Sequence, residues 1–311
     1  MRRLAAPDWV TLGYLAAVTL VVLAGRPEGW GIYLAYHGLV LALVALLVHA
    51  HARYGGRLWG FLRHWYVLPL ALTAFREMHY LIPAVHPFED RRYDRILASL
   101  DRTFLGDVDA FCLSVAGRMP LLIDLLHVCY LFYFASILVP AAVLYARGGV
   151  GRAREYASVI LTGLYLSYLG YFVVPAVGPH RLVPTPPERD GWILGPWART
   201  MLISIEWEMP DAFPSGHTLV SLLVLLMSWR LHRRCFWTLL GPSAGCIAAT
   251  VLLRYHYVTD LAGSLALLPV AVWAGRALHR RCERAERAAA PTSSPPPAEA
   301  GPPGEEEARG A

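Results

Sequence analysis

Eight runs of mostly apolar residues recur along the chain, at 9–25, 30–50, 64–85, 121–146, 157–176, 215–230, 236–253 and 257–277. A helix rises about 1.5 Å per residue, so about 20 such residues cross a hydrocarbon core of roughly 30 Å. No water reaches that core, and every backbone N–H and C=O must be satisfied within its own segment, which a helix achieves. The runs predict an all-α, polytopic membrane bundle of about eight spans. The third is the most polar, with Arg76, Glu77 and His79, and the adjacent Arg76 and Glu77 are expected to form a structural ion pair facing the bundle.

Composition agrees with a bilayer protein. Hydrophobic residues make up 56% and charged ones 16%, with a mean hydropathy of +0.42, against about 45–50% and about 25% in soluble domains. All 28 cationic residues are arginine, and they are scattered between the runs instead of forming one basic face, which argues against a nucleic-acid partner. The five cysteines are an odd number, and Cys112, Cys129 and Cys246 lie in or beside apolar runs. There a thiol behaves as a small hydrophobe, so a secreted disulfide scaffold is not expected.

Arginine placement sets direction. With the N-terminus cytoplasmic, Arg2, Arg3, Arg53, Arg57, Arg63, Arg147, Arg152, Arg154, Arg230, Arg233, Arg234 and the 276–287 cluster all fall inside. That bias predicts cytoplasmic termini and an even number of spans in the cell membrane. Residues 1–25 lack a small-residue cleavage site and read as a signal-anchor span, not a signal peptide. The segment 86–120 is too polar to span and reads as interfacial helices on the outer face. The Pro- and Glu-rich stretch 288–311 reads as a disordered cytoplasmic tail. The expected division is therefore 1–60 as a two-span N-terminal region, 61–287 as the main membrane domain, and 288–311 as tail.

Three polar stretches border apolar runs: Pro175–Arg181, Phe213–Thr218 and Arg254–Asp260. One helical hairpin separates His217 from His256. Each leg of about 18 residues covers about 27 Å, so both histidines return to one side of the membrane, where Arg181 joins them. That side is extracytoplasmic on the orientation above. In the second stretch Ser215 is an N-cap candidate, and Gly216 lets a ligand approach the backbone. The first amides of the helix favour an anion such as phosphate, and His217 can donate a proton to a leaving oxygen. Alone, this stretch is equally a capped helix with an interfacial histidine. In the third, Asp260 lies four residues after His256, on the same helix face, where a carboxylate fixes one ring nitrogen and frees the other. The plainer alternative is an acid favouring the helix dipole beside an interfacial histidine.

Pro214-Ser-Gly-His217 followed by His256-x-x-x-Asp260 resembles the type 2 phosphatidic acid phosphatase superfamily, membrane-embedded lipid phosphate phosphatases and phosphotransferases. Pro175-x-x-Gly-Pro-x-Arg181 and His256-Tyr-x-x-Asp260 are similar to the inositol phosphorylceramide synthase-like branch. The likeness covers roughly residues 70–278 and implies a six-helix catalytic core. It implies that His256 attacks phosphorus to form a phosphohistidine, with Asp260 orienting it and His217 protonating the leaving alkoxide. Arg181, Ser215, Gly216 and Arg254 would bind the phosphate. Implied partners are a lipid phosphate or phospholipid and a polyol acceptor such as inositol.

The pattern also departs from the family. Its usual lysine, seven residues before the arginine of the first motif, is Val174 here, and its usual arginine, six residues before the nucleophile, is Thr250. Arg254 stands closest to that place, though a two-residue offset on a helix points about 200° away. The thinner charge set favours phosphoryl transfer to an alcohol over plain monoester hydrolysis, which is the alternative. A non-catalytic scaffold or transporter is the reading from another class. No metal or cofactor motif is present, and none is expected. His49, His51, His127 and His232 have no partner at ligand spacing, and Tyr130 and Tyr133 read as packing or an interface belt.

Overall fold

The computed structural model describes residues 4–86, 91–206 and 210–289, with backbone alone for Gly148 and 202–206. The tail from residue 290, Arg2, Arg3, Glu89 and Asp90 lie outside the described residues. The chain folds as helices α1 (Ala6–Gly25), α2 (Trp30–Tyr54), α3 (Gly56–Trp65), α4 (Val67–Val85), α5 (Arg92–Leu105), α6 (Val108–Arg118) and α7 (Pro120–Leu131). There follow α8 (Tyr133–Val143), α9 (Val150–Val173), α10 (Pro179–Leu182), α11 (Gly195–Glu206), α12 (Gly216–Leu231), α13 (Arg233–Leu252) and α14 (Val258–Ala288). No strand occurs among the described residues.

The fold is all-α, as the apolar runs require. Among the described residues five helices, α1, α2, α9, α13 and α14, are long and apolar enough to cross a membrane, and a sixth span arises if the bent pair α6–α7 is one. The run 121–146 is divided at Phe132 into α7 and α8. The segment 86–120 supplies two helices, α5 and α6, and α7 leaves α6 at 110°. Pro120 explains the corner: it sits at the first position of α7, where its missing N–H costs nothing.

Helix α9 occupies the centre. Of its most apolar window 61% is buried, against 17–33% for the other four spans, and it packs on α14, α12, α1 and α4. Close approach to α14 depends on Gly275, where a Cβ would stand 2.7 Å from the Val159 Cα. Small residues at such crossings let backbones meet, which is how helices associate without a hydrophobic driving force.

Buried polar clusters fasten the N-terminal helices α1–α4 to one another. Asp8 accepts a bidentate pair from Arg63 and a 2.6 Å bond from the Tyr66 hydroxyl. Glu77 does not pair with its neighbour Arg76 as the sequence suggested. Adjacent residues diverge by about 100° on a helix, so Arg76 faces outward while Glu77 turns inward to His37 of α2, 2.6 Å away.

Candidate functional site

The three polar stretches converge, and the main chain laces them together. The Ala212 amide donates to the Ala176 carbonyl at 2.8 Å, and the His180 amide to the Arg254 carbonyl at 2.9 Å. Gly178, at φ 94°, leaves no room for a side chain against the Tyr255 carbonyl. Two carboxylates from α5 complete the assembly. Asp94 accepts from the Val177 and Gly178 amides, both at 3.0 Å, and from the Tyr257 hydroxyl at 3.1 Å. Asp101 accepts from the Val258 and Thr259 amides at 2.8 and 2.9 Å and from the Thr259 hydroxyl at 2.6 Å. A distant carboxylate thus caps α14, satisfying amides that a helix leaves unpaired.

His256 lies in the non-helical turn before α14, not on the helix itself. The difference arises because Asp260 sits in the first turn of α14, where it accepts from the Tyr257 amide at 2.8 Å and helps start the helix. Its carboxylate oxygen stands 3.4 Å from His256 Nδ1, while the Ala212 carbonyl accepts from that nitrogen at 2.8 Å. Both neighbours of Nδ1 are acceptors, so Nδ1 carries a proton, and in the neutral ring the lone pair is on Nε2. His256 is buried and lines a cavity of about 370 Å³.

His217 stands on the first turn of α12. Its ring stacks on Tyr130 and tilts against Tyr133, with both centroids 4.3 Å away, and the His256 centroid is at 6.0 Å. The Tyr130 hydroxyl is 3.4 Å from His217 Nδ1. Ser215 is the N-cap of α12, accepting from the Thr218 amide at 3.2 Å, after a cis Phe213–Pro214 bond. Gly216 lies against Tyr171, where a Cβ would come 2.6 Å from the hydroxyl.

The arginines differ in their surroundings. Arg181 lies on α10, and its charge is felt at Asp211 and His180. Arg254 adopts φ 63° and is buried, its guanidinium on Asp109 at 2.5 and 2.9 Å, the Val183 carbonyl at 2.7 Å and Thr185 at 3.0 Å. It lines the same cavity as His256 while already balanced by Asp109.

Asp211 and His180, beside the site, have displaced pKa values. Burial pushes Asp211 up to about 6, against the opposing pull of His256 and Arg181. Burial, then the Arg181 and Arg199 charges, lowers His180 to about 3, so it is neutral at ordinary pH. No group of three or more His, Cys, Asp or Glu side chains is placed to hold a metal among the described residues.

Sequence reasoning missed Asp94, Asp101 and Asp211, and it undervalued Tyr130 and Tyr133. The seven-residue spacing of Asp94 and Asp101 marks one helix face, but nothing local says that the face meets two distant loops. Of the other histidines, His127 bonds the Ile123 carbonyl and His232 caps α13.

Two histidines from distant stretches thus lie with ring centroids 6.0 Å apart in a many-helix chain, His217 on the first turn of a capped helix. The family model for the PAP2 superfamily matches residues 95–274, more than half of the chain, and the chain belongs to that superfamily. No curated protein and no solved structure matches it. Membership supports a phosphatase- or phosphotransferase-type function on lipid phosphates in the membrane.

Proposed function

We propose that the protein is a metal-independent phosphotransferase acting through a phosphohistidine, related in reaction to the inositol phosphorylceramide synthase-like branch. The supporting observation is the environment of His256. Its Nδ1 proton is committed to the Ala212 carbonyl and the Asp260 carboxylate, which leaves Nε2 as a nucleophile beside a cavity. Nε2 attacks phosphorus, the P–O bond to the leaving group breaks, and His217 delivers a proton to the departing oxygen. In the second step a hydroxyl gives its proton to His217 and attacks phosphorus, and the P–N bond breaks to restore His256. Arg181 and the first amides of α12, with Ser215 and Gly216, hold phosphoryl oxygens whose charge grows in the transition state. Arg254 shapes the cavity wall beside them. The acceptor is a polyol such as inositol. Plain hydrolysis is the competing outcome.

The arginine bias supports a site on the extracytoplasmic side, with both termini inside. Residues 61–287 form the catalytic domain, and 1–60 add two spans outside it.

Purified full-length protein in detergent, given a labelled lipid phosphate with and without inositol in EDTA, tests the reading. Expected is turnover that survives EDTA, yields inositol product, and vanishes in His256→Ala. Turnover persisting unchanged in that variant overturns the mechanism. Product forming equally without inositol replaces the transferase with a phosphatase, and no turnover of any lipid phosphate favours a scaffold or transporter.

A further inference from the structure

The His256 cavity is walled on one side by α5 and α6 and on the other by the Arg254–Tyr257 turn. Its charges do not all stand alike. Three carboxylates line it, and each is already engaged: Asp101 with the start of α14, Asp109 with Arg254, and Asp107 with the Ala110 amide at 2.9 Å. Of the guanidinium groups, Arg254 is neutralised by Asp109. Arg102 lines the cavity and forms no ion pair among the described residues. Arg95 lines it as well, seven residues earlier on the same helix. Two turns separate them, about 10.5 Å along the axis, so both belong to one face of α5.

That face is held in place. Asp94 and Asp101, each one residue before an arginine, tie α5 to the Val177–Gly178 loop and to the start of α14. A phosphate brought to His256 carries negative charge into a protein wall, which needs cations with fixed geometry.

We propose that Arg102 and Arg95 are substrate-binding residues, α5 supplying guanidinium contacts to a lipid phosphate in the cavity that His256 lines. The inference rests on the reading of His256 as the phosphoryl acceptor and adds where the substrate's charge is held. Guanidinium planes match phosphate oxygens in pairs, which an ammonium cannot do.

The test uses full-length protein in detergent micelles with a short-chain lipid phosphate, and orthovanadate as a phosphate mimic whose binding is read without turnover. Variants are Arg102→Gln, Arg102→Lys, the Arg95→Gln/Arg102→Gln pair, and Arg118→Gln on α6 as control, with melting temperatures checking the fold. Arg102→Gln should raise KM and the vanadate dissociation constant about tenfold, and the pair about a hundredfold, with smaller loss in kcat. Arg102→Lys should recover part of the loss and Arg118→Gln should change nothing.

The assignment is overturned if the pair keeps wild-type KM and vanadate affinity while the wild type turns over, and the chemistry proposed for His256 then stands alone. It is equally overturned if the only change is weaker association with anionic vesicles, which would give these arginines to the bilayer surface. If the wild type binds vanadate, the pair loses it and no lipid phosphate turns over, the cation site stands and the transferase reading falls. A wild type that neither binds vanadate nor turns over removes both.

Discussion

Two of the buried histidine–carboxylate pairs, His37–Glu77 and His256–Asp260, differ in what remains unused. In the N-terminal half, His37 has Nε2 on Glu77 at 2.6 Å and Nδ1 on the Thr19 hydroxyl at 2.8 Å. Both nitrogens are engaged within packed helices. At the site, His256 has its carboxylate further away, at 3.4 Å, a carbonyl taking the Nδ1 proton, and Nε2 left over beside a cavity. The tighter pair is the structural one. On the proposed mechanism, reactivity follows from the uncommitted nitrogen and the adjoining cavity, and a carboxylate partner alone does not identify it.

The largest expected effect breaks that comparison directly. His256→Ala should lower phosphoryl transfer by about 10⁴-fold or more, because the proposed nucleophile is removed. His37→Gln should leave turnover within about threefold while destabilising the protein by about 3 kcal/mol, since Glu77 is left buried without its partner. Thermal unfolding and turnover on both variants are the measurements. If His37→Gln abolished turnover in a protein that still folds, the two pairs would not be separable as drawn here.

Next in size is Gly216→Ala. The new methyl would press on the Tyr171 hydroxyl at 2.6 Å and push the first turn of α12, with His217 on it, out of place. Overpacking of this kind costs about 1–3 kcal/mol, and kcat should fall about 10- to 100-fold. Tyr171→Phe in the same chain should restore part of it by removing the oxygen. A site indifferent to Gly216→Ala would mean that the helix start does not hold the reacting group.

Asp101→Asn sharpens the comparison from the other side, because Asp101 touches no proposed reacting atom. It holds the Val258 and Thr259 amides, two and three residues past His256. Loss of such a cap costs about 1 kcal/mol. The displaced turn should reduce kcat about tenfold with little change in KM, and a pure stability role would leave kcat alone.

These residues show how far the sequence could be read. The all-α fold was legible because apolar runs of bilayer length admit few alternatives, and the meeting of the polar stretches followed from counting up and down one hairpin. Ser215 as a cap was equally legible, being a local event. The partner of Glu77 was not, since the sequence offers Arg76 beside it and only packing chooses His37. Asp101 was hidden for the same reason: it caps a helix that begins 157 residues later. His256 was misplaced onto the helix because four-residue spacing is shared by a helix face and by a turn leading into one.

The smallest effect concerns pH. Asp211 is pushed up to about 6 by burial, with His256 and Arg181 pulling the other way. Its folded value is raised, so the folded state holds the proton more tightly than the unfolded chain. Its contribution to stability is full below the unfolded carboxylate value of about 4 and is lost as pH rises through about 6. The same rise places a negative charge beside Arg181 and His256, which should weaken phosphate binding. Asp211→Asn removes both terms. Relative to wild type, the variant's kcat/KM should therefore improve about two- to threefold between about pH 5 and about pH 7, and its melting temperature should rise over the same interval. A ratio that stays flat across that range would show that Asp211 is silent at the site, and would leave the contrast between the two pairs resting on His256 Nε2 and its cavity alone.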